Sequence, residues 1–115
     1  MTARMVKIDG RELVIMSRSD FDALMEKAGV MPRLPKPAKD GSVPAIRFAT
    51  VDIAREVIKR RIAAGMTQRE LAKRVGVRPE TISRLEAGKH VPQIETIERI
   101  DRVLPPLQRS RRSAG

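Results

Sequence analysis

No cysteine occurs among the 115 residues, so the chain can form neither a disulfide nor a thiolate metal site. Tryptophan and tyrosine are also missing, and only two phenylalanines are present. That scarcity argues against an aromatic platform for stacking single-stranded bases. The single histidine, His90, leaves little general-base capacity. No Ser/His/Asp pattern, phosphate-binding glycine loop or clustered carboxylate pair occurs. The expectation is no enzyme, no cofactor and no metal. No apolar run approaches the roughly 20 residues of a membrane span, and no signal peptide is visible. A cytoplasmic protein with no membrane partner is therefore expected. Acid is in short supply as well, with 14 acidic against 24 basic residues and a net charge of +10. Such an excess suits a polyanionic partner.

The charge is uneven, and it divides the chain into four pieces. Residues 1–29 carry five basic and five acidic side chains and are neutral. Within them MVKIDGRELVIM, residues 5–16, holds two β-rich runs around Asp9-Gly10. That dipeptide signals a hairpin, because both central residues of the turn need positive φ. The register pairs Lys7 with Glu12 and Val6 with Leu13 on opposite faces. Leu13, Val14, Ile15 and Met16 are apolar on both faces and call for cover on both. A helix follows, with Ser17 or Ser19 as N-cap, Phe21, Leu24, Met25 and Ala28 on one side, and Gly29 as its stop. About 25 residues cannot bury a stable core alone. Residues 1–29 are thus expected to dock on the other domain, on a second copy or on a partner, through Leu13, Val14, Ile15, Met16, Phe21, Leu24 and Met25.

Residues 30–48 carry four prolines and a charge of +3, and read as an extended basic linker. Residues 49–104 hold +4 and four stretches of helical periodicity. The first, residues 50–64, places Ile53, Val57, Ile58 and Ile62 inward. The last, residues 94–104, places Ile94, Ile97, Ile100 and Leu104 inward and stops at Pro105-Pro106. The tail, residues 105–115, is basic and is expected to be disordered.

Between those two helices lies MTQRELAKRVGVRPETISRLEAGK. Thr67 and Glu70 form a capping box. Leu71, Ala72 and Val75 make one apolar stripe, and Gly76 supplies the left-handed stop. Only Val77 and Arg78 precede Pro79, a residue favoured at the first helical position. The second helix puts Ile82 and Leu85 on one face and ends at Gly88. So short a connection forces a steep crossing, as in a helix-turn-helix. Glu80, Thr81, Ser83 and Arg84 are left outward near the N-terminal half, the end a recognition helix offers to base edges.

Residues 50–104 resemble the XRE-type, phage repressor and Cro-like helix-turn-helix family. The residues carrying the match are Gly65-Met66-Thr67-Gln68, Glu70-Leu71-Ala72, Val75-Gly76-Val77, Thr81-Ile82-Ser83-Arg84 and Glu86-Ala87-Gly88-Lys89. The resemblance implies a mainly α fold: a lambda-repressor-like bundle of about four helices, here with a small N-terminal β-hairpin and helix. It also implies a homodimer on a two-fold symmetric, double-stranded DNA operator. Glu80, Thr81 and Arg84 would face base edges, with Gln68, Arg78, Lys89 and His90 at phosphates. A guanidinium can grip guanine O6 and N7 together, which makes Arg84 the best base reader. Glu80 would accept from cytosine N4 or orient Arg84 one turn along. Arg61 and Glu86 would form a partly buried ion pair, the alternative being two solvated charges.

Three departures from the family stand out. Pro79 sits where some relatives place a base-reading side chain. Arg78 replaces the usual Ser or Thr N-cap. The usual fifth helix is absent, and Asp101 stands where relatives often carry a small apolar residue, so something else must cover that end of the bundle. The stretch DGRELVIMSRSDFDALMEKAG is similar to the leader of some XRE-type antitoxins and to the strand-then-helix unit of Phd-like antitoxins. That similarity implies a HigA-like antitoxin of a type II toxin–antitoxin module, which binds its toxin and represses its own operon, with residues 1–29 as the dimerisation or toxin-binding unit. A stand-alone repressor shares the same DNA end without a toxin. A protein-binding transcriptional adaptor is the reading from another class.

Overall fold

The computed structural model describes residues 3–106. The basic tail falls almost wholly outside that range. Two compact units divide the chain after Met31.

The first unit is a hairpin and a helix. Strands β1 (Arg4–Ile8) and β2 (Arg11–Ile15) pair antiparallel, with Lys7 opposite Glu12 and Val6 opposite Leu13. Asp9 and Gly10 both take positive φ, 52° and 76°, as the two-residue turn demands. The exposed strand residues include Leu13, Val14 and Ile15 at 41%, 55% and 56%. Helix α1 (Arg18–Lys27) begins at Ser17, whose hydroxyl accepts from the Asp20 amide at 3.1 Å. Of the two serines that could cap it, Ser17 does so. Phe21 and Met25 are half-buried and Leu24 is exposed.

The second unit is helical. Its elements are α2 (Ala45–Ala63), α3 (Gln68–Val75), α4 (Pro79–Glu86) and α5 (Ile94–Val103). Helix α3 packs on α4 and α5, and α2 packs on α4. The core joins Val57 to Leu71, Ala72 and Val75, to Ile82 and Leu85, and to Ile100 and Leu104. Each valine, leucine or isoleucine side chain removed from water contributes roughly 1.5–3 kcal/mol. This is the four-helix, lambda-repressor-like arrangement with a small N-terminal hairpin and helix that the sequence implied.

Several boundaries and faces differ from the sequence reading. Helix α2 begins at Ala45, inside the supposed linker, directly after Pro44, whose carbonyl takes the Phe48 amide. Proline cannot continue a helix on its N-terminal side but can precede one, so Pro44 marks the start. The linker is also anchored: Arg55, buried on α2, donates from Nη1 to the Pro32 carbonyl at 2.8 Å. Ile62 and Ile94, expected inward, are 37% and 76% exposed. Both lie at helix ends, where the apolar stripe has run past its neighbours. Val51 and Ala54 take up the buried face of α2 instead.

The end of the bundle is covered by an arginine. Arg60 donates to Asp101 Oδ1 at 2.7 Å, to the Pro105 carbonyl at 3.1 Å and to the Leu104 carbonyl. Leu104 is the C-cap of α5, where a helix leaves carbonyls without intrahelical partners, and Pro105 is the next residue. Asp101 is therefore the anchor for the side chain that closes α5.

Candidate nucleic-acid interface

The helix-turn-helix starts from local rules. Thr67 Oγ1 accepts from the Glu70 amide at 3.1 Å and Glu70 Oε1 accepts from the Thr67 amide at 2.8 Å, completing the capping box. Gly76 ends α3 at φ 85°, and the Gly76 and Val77 amides both reach the Ala72 carbonyl. Helix α4 then opens at Pro79, with Arg78 as an extended N-cap that makes no side-chain capping bond. Giving up the cap leaves the Arg78 side chain exposed at the N-terminal end of α4.

With Ile82 and Leu85 buried, α4 turns the other side outward. Glu80, Ser83 and Arg84 are exposed and Thr81 is half-buried. Among the described residues no hydrogen bond joins Glu80 to Arg84, so each is presented to solvent. Lys89 and His90 follow, both exposed. Arg84, Thr81 and His90 line one groove of about 330 Å³ with Leu85, Val91, Pro92, Gln93 and Thr96. Among the described residues no carboxylate lines it, and Arg84 is the one formally charged side chain of the lining.

What holds this face is a buried carboxylate. Arg61 Nε donates to Glu86 Oε2 at 2.7 Å, and Nη2 donates to Oε1 at 3.0 Å. Two parallel bonds of this kind fix geometry as well as charge. The side chains are only 12% and 4% exposed. Arg61 Nη1 also donates to the Met66 carbonyl at 2.8 Å, at the turn between α2 and α3. Gln68 Nε2 donates to Glu86 Oε1 at 2.8 Å. One carboxylate thereby ties α2, the start of α3 and the end of α4. Gln68, expected at a phosphate, has its amide nitrogen turned inward to Glu86, because a buried carboxylate oxygen outbids solvent for a donor.

Gly88, just past α4, is buried at φ +70°, a left-handed conformation that suits glycine. A Cβ there would lie 3.3 Å from Pro32 Cγ and 3.5 Å from Ala54 Cβ and Val51 Cα. The stop of the outward-facing helix is thus wedged between α2 and the anchored Pro32. Sequence reasoning found Gly88 as a stop but missed the wedge, and it missed Arg55 and Arg60 altogether. Their partners lie 23 to 45 residues away and leave no local signal.

Residues 57–107 match the family model described as "Helix-turn-helix". Two curated relatives come from Archaeoglobus fulgidus, each named an uncharacterized HTH-type transcriptional regulator. One is 59% identical over 39 residues, covering 34% of this chain and 56% of that protein. The other is 60% identical over 38 residues, covering 33% and 54%. The chain spans about half the length of the curated relatives it matches. The capping box of α3, the left-handed Gly76, the Pro79 start of α4 and the packing of α3 on α4 all fall within the segment that matches this helix-turn-helix model.

Proposed function

We propose that the chain is a sequence-specific, double-stranded-DNA-binding transcriptional repressor that acts as a homodimer. The observation carrying this reading is the outward face of α4. Glu80, Thr81 and Arg84 stand at its exposed side, rimmed by Arg78, Lys89 and His90, with no acid among the described residues that line the adjoining groove. Arg84 reads guanine, Thr81 reads a neighbouring base edge, and the rim cations meet phosphates. The buried Arg61–Glu86 clamp keeps the reading helix in register while leaving its face free. The names of the Archaeoglobus fulgidus relatives agree with a role in transcription. Two copies on a two-fold operator would read half-sites about 34 Å apart, or a multiple of that.

The N-terminal unit supports a more specific reading, the antitoxin of a type II toxin–antitoxin module. It is neutral in a chain of charge +10, and it exposes Leu13, Val14 and Ile15. A neutral apolar surface suits a protein partner and not DNA. A stand-alone repressor would use the same unit for self-association alone. A protein-binding adaptor fits less well, because it has no use for an exposed Arg84 rimmed by Arg78, Lys89 and His90.

The test of DNA binding is selection of the full chain from a random duplex pool, followed by gel shift at several salt concentrations. A palindromic site, with affinity falling steeply as salt rises, is expected. Equal binding to all duplexes would refute sequence-specific repression. Co-expression with the adjacent open reading frame separates the finer readings: copurification of its product is expected for an antitoxin, and its absence leaves the stand-alone repressor.

A further inference from the structure

We propose that two copies of this chain join edge to edge through β2, antiparallel and centred on Leu13, to form a four-stranded sheet. The inference rests on the homodimer reading and names the surface that makes the dimer. It starts from the hydrogen-bond pattern of the hairpin. With a two-residue turn at Asp9-Gly10, Ile8 and Arg11 form the closing hydrogen-bonded pair. Bonded and non-bonded pairs then alternate. Val6 with Leu13 and Arg4 with Ile15 are bonded, whereas Lys7 with Glu12 and Met5 with Val14 are not. The backbone groups of Glu12 and Val14 therefore point away from β1, towards an edge that no strand covers among the described residues.

Those two residues dictate the register of a second copy. A two-fold axis at Leu13 sets Glu12 opposite Val14 of the second copy and Val14 opposite its Glu12. Both become hydrogen-bonded pairs, so every outward N–H and C=O of these residues is satisfied. An axis at Glu12 would set two glutamates against each other, which like-charge repulsion opposes. An axis at Val14 would leave Glu12 opposite Met16, which lies outside the strand.

Charge selects β2 over β1. The free edge of β1 carries Arg4 and Lys7 and no acid, so self-pairing there would gather four cations. A lysine on an edge strand is also a common guard against pairing. In β2 the charges are Arg11 and Glu12, and the paired strands sum to zero. Glu12 keeps Lys7 beside it on its own chain. The union also runs Val6, Leu13, Leu13 of the second copy and its Val6 across one face as a continuous apolar row, flanked by Ile15. A lone two-stranded hairpin is marginal in water, and four strands with an apolar row are not.

Because the chain has no cysteine, a single introduced thiol reports the geometry. Leu13 would face its counterpart as a non-hydrogen-bonded pair, with Cα atoms about 4.5 Å apart, within disulfide reach. The full chain carrying Leu13→Cys should convert mostly to a covalent dimer in a glutathione redox buffer. Val6→Cys, three strand spacings from its counterpart or about 14 Å, should stay monomeric on the same non-reducing gel. The unaltered chain supplies a second readout. The Glu12 and Val14 amides should resist hydrogen exchange, while those of Met5 and Lys7 exchange freely. A chain that is dimeric by light scattering, yet shows no Leu13→Cys cross-link and free exchange at Glu12 and Val14, would overturn the β2 edge and leave the dimer reading standing. A monomeric unaltered chain would overturn both.

Discussion

Replacing Glu86 by alanine tests the clamp beneath the reading helix. The carboxylate accepts from Arg61 Nε, Arg61 Nη2 and Gln68 Nε2 at 2.7, 3.0 and 2.8 Å. Its side chain is 4% exposed, and that of Arg61 is 12% exposed. The substitution removes all three acceptor contacts and leaves a guanidinium charge in a site that water scarcely reaches. Truncating one partner of such a pair costs roughly 3–5 kcal/mol, against a total of about 5–15 kcal/mol for a small domain. At about 4–8 °C per kcal/mol for a domain of 60–100 residues, the Tm should fall by at least ~12 °C. The measurement is thermal unfolding of the full chain, followed by circular dichroism at 222 nm. Arg61→Met combined with Glu86→Leu should recover much of the loss, because a well-packed apolar pair often matches a buried ion pair. A loss within about 1 kcal/mol, the value of a solvated surface pair, would refute the reasoning.

Arg84→Ala should cost roughly 1–3 kcal/mol on the selected operator and little on random duplex by gel shift. Equal loss on both would mean that Arg84 meets phosphate only. Gly88→Ala should destabilise more than Gly65→Ala in denaturant melts. Both glycines have φ near +70°, but of the two Gly88 alone would bring a Cβ to 3.3 Å from a neighbour, and overpacking of this kind costs about 1–3 kcal/mol. Equal losses would show that conformation alone matters at Gly88. Deleting residues 1–30 should leave folded, monomeric helices that bind operator much more weakly. A truncated chain still dimeric by light scattering at micromolar concentration would move the interface to residues 50–104. Asp40 accepts from the Ser42 hydroxyl at 2.6 Å and the Ser42 amide at 2.9 Å, which hold its carboxyl below the ordinary 3.8. A depressed folded-state value means that this turn contributes stability above the ordinary carboxylate range and loses it as the pH falls through the lowered one. In an NMR titration Ser42→Ala should move the midpoint back up, and an unmoved midpoint would remove the hydroxyl as its main cause.

By itself the sequence determined whatever depends on neighbours within one turn. Thr67 and Glu70 stand three residues apart, Gly76 needs only its own freedom at positive φ, and Asp9-Gly10 sets a register through a two-residue turn. The starts and stops of α3 and α4 and the strand pairing were legible because their energies are local, whereas the start of α2 at Ala45 was hidden in a proline-rich stretch. The outward set on α4 was legible too, since Ile82 and Leu85 assign the opposite face once the helix exists. The spacing from Gly65 and Gly88 located Arg61 and Glu86, but only through resemblance to a family. Tertiary structure alone decided that Gln68 turns to Glu86, that Arg60 with Asp101 closes α5, and that Arg55 draws Pro32 onto the helices beside Gly88. It also decided that Ile62 and Ile94, apolar and in phase, remain exposed. Each of these depends on what another segment, 18 to 45 residues away, brings to the same place. A periodic pattern says which side of a helix is apolar, but only packing determines how far along that side a neighbour extends.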